Sequence, residues 1–307
     1  MAKFAVYTFQ FYPIMKPIDA GLFPDDVNPQ ESFNNKRELF DRILENDGYF
    51  RFKRNGKEDD DKESPKKRKE KHYSGKVVVK EREVYIGKIG KHCLLSYYSS
   101  NFERGKIDSY PNHAFIIANS EAISQILIQQ VGRGFKSTDY VAGVLEDTYN
   151  SKLAQFRLRM EIRPRYHEED FFNFVEKNLN DISTITFKLA EPNNPWVSGN
   201  IDEMANDMAK NTHSDFSFQL AARKDETMVI DRKYEPLINL VEASTKGGYP
   251  IIVTTKNRKR HECGKNAQYK YVVSISDKYL RGVEEGDLMH DNMDEIKAIL
   301  RNIALQP

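Results

Sequence analysis

Apolar positions along the chain follow one rhythm in the first half and another in the second. The opening KFAVYTFQF (residues 3–11) is rich in aromatic and β-branched residues and predicts a buried strand. A Pro-rich loop from Pro13 to Pro29 follows. Phe33, Leu39, Phe40, Ile43 and Leu44 then recur at helical spacing, so residues 31–46 predict a helix, ended by Asp47-Gly48 before the strand YFRFKR. GKVVVKE, REVYIGKIG and KHCLLSYYSS read as a meander with short turns, and HAFIIAN forms another strand after a polar loop. Two helices are predicted next, SEAISQILIQQ and STDYVAGVLEDTYNSKLAQ, joined by VGRGFK.

From residue 156 strands and helices alternate. Strands FRLRMEIRP, ISTITFKLA, DFSFQLAARK, YPIIVTTKN and QYKYVVSIS are interleaved with helices EEDFFNFVEKNLN, NIDEMANDMAKN and YEPLINLVEAST, and NMDEIKAILRNIAL ends the chain as a helix. The pattern predicts an α+β protein of two parts. Residues 1–155 form a β-rich part with the helical pair at its end, and residues 156–307 a strand-helix part. The stretch NGKEDDDKESPKKRKEKHYSG (55–75) holds no apolar side chain except Tyr73 and predicts a disordered insertion. Its PKKRKEK core resembles a nuclear localisation signal or a basic arm. The preceding EDDDKE cancels that charge, and a solvated mixed-charge loop is the plainer reading.

Composition narrows the partners. With 47 basic against 46 acidic residues in 307, affinity for nucleic acid has to come from local clustering. Two cysteines, Cys93 and Cys263, make neither a disulfide framework nor a metal cluster, and no apolar run reaches the ~18 residues of a membrane span. A reducing cytoplasm is the expected location, with membrane contact only through a partner, and no cofactor motif stands in the chain.

Three basic clusters stand out. In FRLRMEIRPR, alternation predicts Leu158, Met160 and Ile162 facing the core while Arg157, Arg159, Glu161, Arg163 and Arg165 project together. That row would carry a guanidinium about every 7 Å, a spacing suited to phosphates. A wet sheet face, or arginines paired with Glu168 and Glu169, is the alternative. The second cluster, KNRKRH, puts Lys256, Arg258, Lys259 and Arg260 at a hairpin tip, with Lys265 and Lys270 expected on the return strand. Charged tips also serve simply to keep sheets from stacking. The third, VGRGFKSTD, brings Arg133 and Lys136 beside two glycines and Ser137, an N-cap for the next helix. It lacks the spacing of a phosphate-binding Walker loop.

Enzyme signatures are thin. Seven scattered histidines form no HExxH pair, and HEED at 167–170 is explained by acids favouring a helix start. Glu83, Asp108, Glu161 and Asp231 fall on or beside strands, the one feature in favour of a metal-dependent nuclease-like toxin. Trp196 is expected to anchor packing.

The element order across roughly residues 80–260 resembles the phage-exclusion protein RexA and, more loosely, the KwaB component of the Kiwa anti-phage system. The resemblance is carried by EVYIGKIGKHCLLSYYSS, NHAFIIANSEAISQILIQQ, FRLRMEIRPRYHEEDFFNFVEKN, ISTITFKLAEPN, and DFSFQLAARK leading into YEPLINLVEAST. It implies a cytoplasmic, dimeric protein that binds DNA without sequence preference and acts as a sensor in a defence system with a membrane-protein effector. The loops at 13–29 and 55–75 depart from that pattern. A scaffold docking an acidic partner on the arginine face is the third reading.

Overall fold

In the computed structural model the described residues are 1–14, 27–45, 49–54, 71–120, 123–132, 134–189, 216–224, 226–264, 270–276, 279 and 290–305. The expected helix at 200–211, Trp196, Arg133, Lys265 and the PKKRKEK run all lie wholly or mainly outside them. The fold is α+β, and the chain divides into two units. The first comprises Met1–Ala5, Phe11–Ile162 and Val273–Gln306, and the second Val6–Gln10 with Arg163–Val272.

The larger sheet, most of it in the first unit, is built on strands β1 (Ala2–Pro13), β2 (Tyr49–Arg54), β3 (Lys71–Glu81), β4 (Val84–Gly90), β7 (Asn112–Asn119), β8 (Ser124–Gln129), β9 (Leu158–Pro164) and β14 (Val272–Ile275). They form one sheet in the order β14-β1-β8-β7-β4-β3-β2, with β9 also paired to β1. β5 (Cys93–Tyr98) and β6 (Arg104–Ser109) form a separate two-stranded ribbon. Helices α1 (Pro29–Asn34), α2 (Lys36–Glu45), α3 (Thr138–Leu153) and α6 (His290–Leu305) complete the unit.

Central strands β1, β7 and β8 are buried almost throughout, which requires continuous apolar runs such as AFIIA and ILI. This explains why SEAISQILIQQ carries the strand β8 over Ser124–Gln129 where a helix is expected. Its Ile123, Ile126 and Leu127 mimic helical spacing, but a short apolar run buried on both sides suits a strand equally, and partners decide. Likewise β6 replaces part of the expected polar loop, and β3 begins at Lys71, inside the stretch expected to be disordered.

Phe40 of α2 meets Phe11 and Tyr149 edge-on, each with ring centroids 5.3 Å apart, which ties α2 to α3 and to β1. Ser137 caps α3, its hydroxyl accepting from the Tyr140 amide at 3.2 Å. One stretch of β9 is closed by side chains of α3. Asn150 donates to the Met160 carbonyl (2.8 Å) and accepts from the Met160 amide (2.6 Å), and a Glu146 carboxylate oxygen accepts from the Ile162 amide (2.6 Å).

In the second unit β11 (Phe216–Ala221), β10 (Ile182–Leu189), β12 (Ile251–Thr255) and β13 (Arg260–Cys263) form an antiparallel sheet in that spatial order. Ile185, Phe187 and Leu189 alternate inward against α4 (Glu169–Asn178) and α5 (Glu235–Lys246), where Phe171, Val175 and Val241 are buried. Among the described residues no helix is long and apolar enough to cross a membrane.

Candidate nucleic-acid interface

The arginine row does not form as alternation predicts. Leu158, Met160 and Ile162 do face the core. Arg157 precedes the strand, in a left-handed conformation (φ 51°) closing the 3-10 turn Ala154–Phe156. Arg159 is exposed, lies 3.7 Å from Glu161 and stands over the Tyr12 ring at 5.1 Å. Arg163 lies over the Tyr249 ring at 3.9 Å. Arg165 is turned inward, 2% exposed, its guanidinium 4.8 Å from the centroid of Tyr271. β9 ends at Pro164, and the two-residue parity of the strand does not carry on to Arg165. The Arg165 amide then donates to the Val6 carbonyl and its carbonyl accepts from Tyr271, each at 2.9 Å.

Arg165 instead lines a cavity of about 180 Å³ with Tyr166, His167, Glu168, Glu169, Thr245, Lys246 and Tyr271. Charges of both signs meet there. Lys246 holds Glu242 at 3.0 Å, and Glu168 and Glu242 both act on Arg165. Burial holds the His167 ring below the usual histidine range, with Arg165 adding to the effect. Burial, reinforced by Glu242, raises the Glu168 carboxyl above the ordinary glutamate value. A raised acid favours the fold while protonated, so that advantage is present at low pH and is lost as pH rises through the folded titration. Glu168→Gln should therefore match the wild type near pH 4 and melt higher at pH 7; equal melting at both values would contradict the assignment. The balanced lining makes this an internal charge network and not an anion pocket.

The second basic cluster is exposed as expected. β12 and β13 are joined by a tip in which Lys256, Arg258, Lys259 and Arg260 are all solvent-facing. The tip is internally braced. The Thr255 amide donates to the Lys259 carbonyl (2.9 Å), the Arg258 amide to Thr255 (2.8 Å), and the Lys256 amide to Asp181 (2.7 Å). Asn257 Oδ1 accepts from the Thr255 hydroxyl at 2.5 Å and from the Lys259 amide at 3.2 Å, and Arg258 takes the left-handed conformation (φ 62°). His261 stacks flat on Phe174 at 3.8 Å. Arg260 lies 3.2 Å from Glu262, whereas Lys256, Arg258 and Lys259 pair with no carboxylate among the described residues. The return strand is β13, which ends at Cys263 before either expected lysine; Lys270 makes an isolated bridge to Tyr166, and Lys265 lies outside the described residues.

Two further cations sit at the same end of the sheet. Ala221 registers with Thr184, which registers with Thr254, and the Ala222 amide donates to the Ser183 carbonyl, so exposed Arg223 and Lys224 emerge on the tip side. Two strand spacings, about 10 Å, separate them from the tip strand. Sequence reading missed this pair because only register across β10 reveals the neighbourhood; the signal was the RK at the end of DFSFQLAARK.

Elsewhere Lys136 is exposed beside the α3 cap. Of the acids considered for a nuclease, Glu83 sits in the turn before β4, Asp108 holds His92 at 2.6 Å on the ribbon, and Glu161 faces Arg159. Asp231 belongs to the second unit, where its carboxylate accepts from the Lys233 amide at 2.8 Å. Among the described residues no three His, Cys, Asp or Glu side chains are placed to share a metal ion. No protein-family model and no curated protein matches the chain.

Proposed function

We propose that this chain binds nucleic acid without sequence preference, as double-stranded DNA, through the basic end of the second unit's sheet. The observation carrying the proposal is the braced tip, where Lys256, Arg258 and Lys259 are held exposed without carboxylate partners among the described residues. A polyanion can therefore gain from these cations with little further ordering of backbone. Arg223 and Lys224 extend the surface, and Arg159 is a lesser contributor because Glu161 already attends it. The setting we infer is cytoplasmic phage defence with a membrane-protein effector, which rests on the likeness in element order to RexA and KwaB.

Mobility shift on random duplex DNA at two salt concentrations tests the binding. Wild-type affinity should fall steeply with salt, while the triple variant Lys256→Ala, Arg258→Ala, Lys259→Ala should bind at least tenfold more weakly with a salt slope shallower by about three. Absent or salt-independent wild-type binding rejects the proposal. DNA binding left intact by the triple variant, together with loss of a protein complex, would favour the scaffold.

A further inference from the structure

We infer that β5 is a self-association edge, and that two copies of this chain join their ribbons β5 to β5 across a two-fold axis to make one four-stranded sheet. Seven of the eleven large hydrophobic side chains exposed among the described residues fall within residues 94–110, so the apolar surface is concentrated and not scattered. Among them Leu94, Leu95, Tyr97, Tyr98 and Ile107 run along the strands, and Phe102 stands at the turn, 87% exposed.

Register sorts these side chains by face. Leu95 opposes Ile107 and Tyr97 opposes Gly105, which with Cys93 and Ser109 make one face without a charge. Leu94, Ser96 and Tyr98 oppose Asp108, Lys106 and Arg104 on the other, mixed face. A ribbon of two strands is marginal in water unless something covers it. Among the described residues neither β5 nor β6 pairs with a third strand.

The two edges are not equivalent. β6 reads RGKIDS and carries Arg104, Lys106 and Asp108, the kind of charge that keeps an edge strand solitary. β5 reads CLLSYY and carries none over its whole length, which leaves its backbone row open to another strand. A second copy fits this edge because identical uncharged strands meet antiparallel about a two-fold axis without like charges opposed, while β6 of each copy stays outward.

The apolar area at the joint comes from β5 itself. Taking ~200 Å² for each large side chain, the four exposures of 44–68% at Leu94, Leu95, Tyr97 and Tyr98 bring on the order of 400 Å² of apolar surface per chain to the joint, about half of the roughly 800 Å² that each partner gives to a standard stable interface, to which the paired backbones add. A lipid surface fits less well, since the apolar side chains line the strands while the turn also holds Asn101 and Glu103. Nucleic acid fits less well because the open edge has no cation.

Light scattering on the full chain from about 1 to 100 µM tests the inference, with hydrogen exchange of residues 93–98 followed over the same series. The wild type should have twice the chain mass at the upper end, and amides of 93–98 should gain protection as the dimer fills. Leu95→Lys with Tyr97→Lys should weaken association at least 100-fold while circular dichroism and melting confirm the fold, and Arg104→Ala on the other edge should leave the mass unchanged. A monomer at 100 µM overturns the inference, including one that binds anionic vesicles. So does a dimer that survives the double substitution, or one whose 93–98 amides exchange as they do in the monomer.

Discussion

Replacing Arg165 by alanine is expected to destabilise the second unit by about 3–5 kcal/mol, the usual consequence of removing one member of a buried charge network. Its guanidinium is almost wholly buried against Tyr271, and Glu168 and Glu242 contribute to its electrostatic environment. Without the cation those carboxylates lose a compensating charge, and the vacated volume leaves the face of Tyr271 uncovered. Chemical unfolding monitored by circular dichroism measures the loss, with Arg165→Lys expected to recover only part of it because an ammonium cannot spread over the ring as a planar guanidinium does. Less than about 1 kcal/mol lost, accompanied by weaker DNA binding, would return Arg165 to the role that strand alternation predicts for it.

Gly248→Ala should cost about 2–5 kcal/mol. Gly248 follows α5 with φ +73°, a conformation that penalises an L side chain by about 1–2 kcal/mol. A Cβ there would lie 2.5 Å from the Cβ of Arg163 and 2.9 Å from the carbonyl oxygen of Pro164. Backbone has to move, which adds about 1–3 kcal/mol. Gly132→Ala is the matched control, since nothing lies within 4 Å of its Cβ position and φ is not left-handed. The same unfolding measurement should find the control within about 0.5 kcal/mol of the wild type. Equal effects at both positions would show that the turn after α5 can rebuild.

What was legible in the sequence follows from where the deciding forces act. β1, β7, α3, α4, α5 and α6 announce themselves through long periodic runs, and Ser137 is a local cap whose hydrogen bond needs only the next three residues. β8 was unreadable as a strand because Ile126, Leu127 and Ile128 are buried between neighbours that no window of the chain contains. β6 has too few apolar residues to signal anything until β5 lies beside it. In the candidate interface the tip was recognised by its charge, but its rigidity depends on Asn257, whose side chain replaces missing backbone bonds. The inward turn of Arg165 depends on Tyr271 and Val6, both distant in sequence, and on a parity break that Pro164 alone could have suggested.

β1 leaves the ribosome well before β8, β9 and β14, the three strands that pair with it, which lie at residues 124–129, 158–164 and 272–275. At a synthesis rate of 5–20 residues per second, an aromatic stretch such as FAVYTFQFY waits roughly ten seconds to a minute for its last neighbour. The nascent protein must spend that interval with its stickiest strand incompletely paired, first alone and then flanked by β8 and β9 only, so its yield in the cell will follow the supply of holdase chaperones and the speed of translation.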